Sequence, residues 1–208
     1  MQTRAADIVI VGGGIAGPAL AAALRHSGLR ILLVERSADP LDTARGDHLQ
    51  PATAEILDAW GLLAAFFQAG AQKRLGSRWF TAEGDELLSA LVDDLPIPHP
   101  YYLYLNHETI SEVLLRAAAD NPHFTLLKPA RLTRIMAHDG VSPTKLLVLT
   151  DSEEVEVSAR MVVAADGRAS TVGRLFDLPP DVLAYQNPLA VLFAEVEDED
   201  PRHDLRAY

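Results

Sequence analysis

Val11-Gly12-Gly13-Gly14-Ile15-Ala16-Gly17-Pro18 decides how the rest of this chain is read. It follows a short apolar run, Asp7 to Val11, and opens an alanine- and leucine-rich segment from Ile15 to Leu24. A buried strand, a tight glycine turn and a helix are therefore predicted at the N-terminal end. Gly12, Gly14 and Gly17 fit the pattern G-x-G-x-x-G, in which each glycine has its own task. The first permits the turn, the second lets the backbone approach a pyrophosphate, and the third lets helix and strand pack closely. Free backbone N–H groups, together with the helix dipole, then attract phosphate. A dinucleotide is the ligand such a turn predicts.

The helix is expected from about Ile15 to Ser27, with Ile15, Ala19, Leu20, Ala23 and Leu24 at helical spacing. Pro18 falls in its first turn, where a missing N–H costs least, and Gly28 is placed to end it. Arg30-Ile31-Leu32-Leu33-Val34 reads as a buried parallel strand, completing a βαβ unit of right-handed crossover. Glu35 ends that strand about 20 residues beyond the glycines, where an acid hydrogen-bonds a ribose 2′-hydroxyl. A carboxylate there repels a 2′-phosphate, so the site suits NAD or FAD and disfavours NADP(H). The competing reading of Glu35 is a solvated glutamate at a strand end.

Composition narrows the class. The chain has 208 residues and 49% hydrophobic content, enough for one sizeable core or two small ones. A net charge of −11 without a basic cluster argues against nucleic acid or an anionic membrane surface as partner. The sequence has no cysteine, which excludes disulfides, thiolate metal sites and cysteine nucleophiles. The N-terminus carries no apolar signal core, and no apolar run reaches the roughly 18 residues that span a bilayer. A soluble, cytoplasmic protein is expected.

Arg45-Gly46-Asp47-His48-Leu49-Gln50-Pro51 is a polar loop before a helix from Ala52 to about Trp60, and Leu62 to Gln68 starts another. Arg45 has two readings, a guanidinium fork for a phosphate or ring oxygen or a surface loop arginine. From Lys73 the period becomes alternating. Ser77–Thr81 and Glu86–Leu91 flank a turn at Ala82-Glu83-Gly84-Asp85 and read as a hairpin. Tyr101 to Leu105 is a further strand, whose tyrosines either line a pocket or pack within the sheet. Glu108 to Asp120 is an amphipathic helix, and Phe124 to Leu127 a parallel strand. Arg131–Ala137, Lys145–Thr150 and Val155–Val157 form an antiparallel meander. Arg160 to Ala165 is the last parallel strand, ending in Asp166-Gly167, and Ser170 or Thr171 caps a short helix to Phe176. An acid and a glycine at a strand's carboxyl end lie where ligands bind in open α/β sheets. Leu189 to Val196 reads as one more strand. The five acids between Glu195 and Asp200 read as a solvated turn rather than a metal site. The seven histidines are scattered without ligand spacing, so no metal is expected. No nucleophile–base pair is readable, and the catalytic residues stay unnamed.

Three separated motifs together resemble one family, the FAD-dependent flavoprotein aromatic hydroxylases of the p-hydroxybenzoate hydroxylase type. The first is Ile8 to Glu35-Arg36 with its glycines. The second is Arg45-Gly46 leading into Leu49-Gln50-Pro51, similar to the family's arginine-bearing loop beside the flavin. The third, Val162 to Ser170, looks like the family's Asp-Gly motif, which in relatives serves both FAD and the passing NAD(P)H. The resemblance implies a Rossmann-like α/β domain with a parallel sheet and a β-meander, spanning residues 1–72 and 106–180. Residues 73–105 and 181–208 would form part of an antiparallel substrate-domain sheet. It implies FAD as cofactor, held by Gly12, Gly14, Ile15, Ala16, Gly17, Glu35, Arg36, Arg45, Asp166 and Gly167, with NADPH or NADH as transient reductant.

The implied activity is hydroxylation of a small aromatic or polyketide-like substrate through the flavin C4a-hydroperoxide. A related flavin-dependent reductase or halogenase is the alternative. Relatives place glutamine or arginine where this chain has Asn106-His107, and continue into a Gly-Asp motif without counterpart here. The chain therefore resembles an N-terminal half, and its missing C-terminal half is an expected partner. A catalytically silent FAD-binding fragment is the reading of another class.

Overall fold

A computed structural model describes residues 2–38, 48–178, 180–183, 186 and 205–207. Its elements in chain order begin with β1 (Gln2–Val11), α1 (Ala16–Ala23), β2 (Ile31–Val34), β3 (His48–Leu49), α2 (Pro51–Ala59) and α3 (Leu63–Gln68). There follow β4 (Gln72–Arg74), β5 (Gly76–Phe80), β6 (Glu86–Leu91), β7 (Tyr102–Tyr104) and α4 (His107–Ala118). The last are β8 (Phe124–Leu127), β9 (Ala130–Ala137), β10 (Thr144–Thr150), β11 (Glu154–Ala164), α5 (Thr171–Leu175) and β12 (Leu205–Ala207). The chain divides into two compact units, Met1–Asp42 with Ser111–Leu189, and Thr43–Ile110 with Ala190–Tyr208.

The first unit is built on a six-stranded sheet of order β8-β2-β1-β11-β10-β9. Strands β8, β2, β1 and β11 run parallel, whereas β10 and β9 continue the sheet antiparallel. The uninterrupted apolar runs of β1 and β2 follow from burial on both faces. Val9, Val11, Leu32 and Val34 face a core shared with Leu146, Val148, Val155, Val157 and the α5 residue Val172. Their alternate neighbours Ile8, Ile10, Ile31 and Leu33 face Ala21 of α1 and Ala118 of α4. The two-residue period of a strand thus places helices on one side and the meander with α5 on the other.

Three boundaries differ from the sequence reading. The segments expected at Val155–Val157 and Arg160–Ala165 are one strand, β11, because its edge pairs with β1 in one unshifted register from Gln2↔Val155 to Val11↔Ala164. The same pairing extends β1 back to Gln2, ahead of the expected start at Asp7. Helix α1 closes at Leu24 rather than Ser27, and a turn carries the chain to Gly28, which takes the left-handed φ of +72°.

In the second unit, β5 and β6 form the expected hairpin, and β12 joins β5 in parallel. Three residues, Leu205 to Ala207, were too short to signal a strand. β3 and β4 flank β7 in a small antiparallel sheet. Pro51 stands at the first position of α2 and Gly61, at φ +70°, follows its end, the helix punctuation these residues favour. Tyr101 packs its ring 6.3 Å from that of Phe67 and bonds His99 through its hydroxyl at 3.1 Å. The strand expected at Leu189–Val196 and the acidic run from Glu195 lie outside the described residues.

Candidate cofactor site

The glycine turn sits at the carboxyl end of β1, between β2 on one side and β11 on the other. This is the point where the strand order reverses, and open α/β sheets bind ligands at such a crevice. The Gly12 amide donates to the Val34 carbonyl at 2.8 Å, and Gly12 has φ +116°. A Cβ on Gly12 would fall 2.3 Å from the Ala165 carbonyl oxygen. Only glycine lets the turn pass so close to the end of β11. A Cβ on Gly17 would fall 2.0 Å from the Gly12 carbonyl oxygen and 3.2 Å from Ile10 Cγ2. Gly17 therefore sets the approach of α1 to β1.

Gly14 is different. A Cβ there meets no atom of the described residues within 4 Å, and no left-handed φ requires glycine. Nothing among the described residues demands a glycine at this position; what it keeps clear is the space in front of the turn.

Two side chains hold the turn. The buried Glu35 carboxylate accepts the Gly13 amide through Oε2 at 2.5 Å and the Ser37 amide through Oε1 at 2.7 Å. Ser111, 3% exposed on α4, donates its hydroxyl to the Gly13 carbonyl at 3.0 Å, with the Gly14 carbonyl 3.3 Å away. The amides of Gly14 and Ile15 make no hydrogen bond among the described residues. Helix α1 begins behind them with no side-chain cap and no acidic residue in its first turn. Uncapped N–H groups at the positive end of a helix dipole are suited to an anion.

The Asp-Gly segment lies beside this turn through Ala165. Asp166 points its carboxylate at α5, accepting the Ser170 hydroxyl at 2.6 Å and the amides of Thr171 and Val172 at 2.6 and 3.0 Å. Ser170 in turn accepts the Gly173 amide at 2.9 Å, so it is the helix cap of the two considered. Gly167 has φ +79° and is exposed. Arg36 is exposed just past Glu35, and Arg45 lies outside the described residues. The structure thus gathers Gly12, Gly14, Ile15, Ala16, Gly17, Glu35, Asp166 and Gly167 at one end of the parallel sheet.

Ser111 was not singled out from the sequence. Its signal was a hydroxyl on the otherwise apolar face formed by Ile110, Val113, Leu114 and Ala117. Ser37 was also passed over, because its contribution is a backbone amide. Among the described residues no group of three or more histidines, aspartates or glutamates is placed to hold a metal ion. None of the described helices is long and apolar enough to cross a membrane.

A parallel sheet with a G-x-G-x-x-G turn at its switch point defines a dinucleotide-binding protein. Comparison with known sequences makes the class specific: residues 5–203 match the family described as FAD binding domain, and the chain belongs to it. It is 35% identical over 176 residues to 6-methylpretetramide 4-monooxygenase of Streptomyces rimosus, covering 84% of this chain and 41% of that protein. A crystallised PqsL variant of Pseudomonas aeruginosa superposes with a TM-score of 0.76 at 26% identity, covering 88% of this chain and 48% of the other. The anhydrotetracycline hydroxylase OxyS of Streptomyces rimosus gives 0.71 at 28% identity, covering 83% and 34%. The chain spans less than half the length of each.

Proposed function

We propose that this chain is the FAD-binding part of an NAD(P)H-consuming monooxygenase that hydroxylates a small aromatic or polyketide-like substrate. The observation that carries the reading is Gly14. Its open face and the two outward amides at 14 and 15, ahead of an uncapped helix, suit the FAD diphosphate. Gly12 and Gly17 shape that cradle, and Ala16 begins the helix behind it. Two of the four lone-pair positions of the Glu35 carboxylate hold the turn and Ser37. The other two remain to accept ribose hydroxyls. Arg36 supplies positive charge beside the turn, Arg45 is assigned to the cofactor on its sequence motif alone, and Gly167 brings backbone close to it. Asp166 shapes the same rim by fixing the turn into α5.

FAD, when bound, carries electrons from a nicotinamide to dioxygen and passes one oxygen atom to the substrate. The residues of this chain orient the cofactor. Residues 1–72 and 106–180 are assigned to FAD, and 73–105 with 181–208 to the substrate side. The names of relatives, a 6-methylpretetramide monooxygenase and an anhydrotetracycline hydroxylase, favour a fused-ring polyketide-like substrate. This chain covers 41% and 34% of these two relatives, and closing the substrate site is assigned to a C-terminal remainder acting with this chain.

The test is oxygen incorporation by the full natural polypeptide loaded with FAD, supplied with NADH or NADPH, labelled dioxygen and tetracyclic phenols. Gain of one labelled oxygen atom by the product supports the reading. Cofactor oxidation without any labelled product would contradict it and favour a reductase.

A further inference from the structure

The geometry points to Ser111 as a positioning residue for the cofactor, a latch that aims the two diphosphate-binding amides. The inference rests on the FAD reading above. In a trans peptide the C=O of one residue and the N–H of the next lie in one plane and point in opposite directions. The Ser111 hydroxyl draws the Gly13 carbonyl toward α4 at 3.0 Å and shares its proton with the Gly14 carbonyl at 3.3 Å. The Gly14 and Ile15 amides belong to those same two planes, so they are turned to the side away from α4. Glu35 fixes the preceding plane by taking the Gly13 amide. Without Ser111, a glycine-rich turn has no other side chain among the described residues that holds these two planes.

Burial strengthens the case. Ser111 is 3% exposed and lies between Ile110 and Val113 on the packed side of α4. A hydroxyl in such surroundings carries a desolvation cost unless it is bonded, and among the described residues its bonds go to the glycine turn. The side chain itself stays behind the turn; its effect on the ligand passes through the backbone.

The experiment is a titration of FAD, and of ADP as a diphosphate probe, into the cofactor-stripped full natural polypeptide. Parent, Ser111→Ala, Ser111→Thr and Gly14→Val are compared, with the melting temperature of each stripped protein. Ser111→Ala should weaken FAD and ADP by the same factor, about tenfold, the size of one well-aimed hydrogen bond to a charged group. Ser111→Thr keeps a hydroxyl on the same carbon and should restore most of that affinity. Parental FAD affinity in Ser111→Ala, with Gly14→Val unable to bind, would overturn the latch and leave the FAD reading standing. Parental affinity in Gly14→Val would remove that reading and the latch with it. A Ser111→Thr protein that melts like the parent yet binds as weakly as Ser111→Ala would also overturn the latch, since the hydroxyl would not be the cause.

Discussion

The Glu35 carboxylate accepts the Gly13 amide at 2.5 Å across 22 residues of sequence. The bond ties the end of β2 to the turn that leaves β1, next to the Gly12-to-Val34 backbone bond. Gly13 is buried, so removing the acceptor leaves an amide with no water to replace it. Glu35→Ala should cost about 1–3 kcal/mol of stability and weaken FAD as well. Urea unfolding of the stripped protein checks the first part; an unchanged midpoint would show that the turn does not depend on this carboxylate.

Gly17 and Gly14 should separate stability from binding. A Cβ on Gly17 collides with the Gly12 backbone at 2.0 Å, whereas one on Gly14 touches no atom of the described residues. Gly17→Ala is expected to lose about 3 kcal/mol, the upper range for overpacking. Gly14→Ala should unfold within about 0.5 kcal/mol of the parent while binding FAD roughly tenfold more weakly. Denaturant unfolding and FAD titration on the same two variants decide the matter. Equal stability loss in both would contradict the division of roles.

Most of the site was legible because its residues carry backbone rules. Gly12 and Gly17 are dictated by close approach of backbone, and their spacing announced them; Gly14 has the same spacing, and its assignment to a ligand belongs to the proposed reading. Burial on both faces was legible too, since Ile8 to Val11 and Ile31 to Val34 are apolar at every position. Ser111 was hidden because a serine on a helix carries no spacing signal; its partner is almost a hundred residues away. The true length of β11 was hidden for a related reason. Glu154, Glu156 and Ser158 look like the end of a meander strand, and only pairing with β1 shows that the strand runs on. Asp166 was found, but sequence could not say that its carboxylate is taken up by the start of α5.

That last point gives a third expectation. Asp166 and Ser170 together satisfy the amides of Thr171, Val172 and Gly173. Asp166→Ala should lower stability by about 1 kcal/mol, typical for loss of an N-terminal helix cap. The loss should appear as a lower melting temperature of the stripped protein. A melting temperature equal to the parent's would show that α5 does not need the acid.

Acid sensitivity follows from two carboxylates. The Arg30 side chain bonds Asp7, helped by the Arg30 backbone amide, and holds it at about 2 instead of 3.8. The Val141 and Ser142 amides do the same for Asp139, also to about 2. Both groups are more acidic folded than unfolded, so their contribution is complete above the unfolded value and is lost as pH falls through the folded one. Urea midpoints should hold steady from neutrality to about pH 5 and then fall toward pH 2. Asp7→Asn should flatten part of that fall. An equal slope in parent and variant would show that the Asp7–Arg30 pair does not contribute.

The most direct measurement is the dissociation constant of FAD for the stripped full natural polypeptide, set beside that of Gly14→Val. The account predicts that the parent takes up FAD stoichiometrically and that Gly14→Val, with equal melting temperature, does not. FAD bound equally by both proteins would contradict it, because the ligand would then lie somewhere other than the glycine turn.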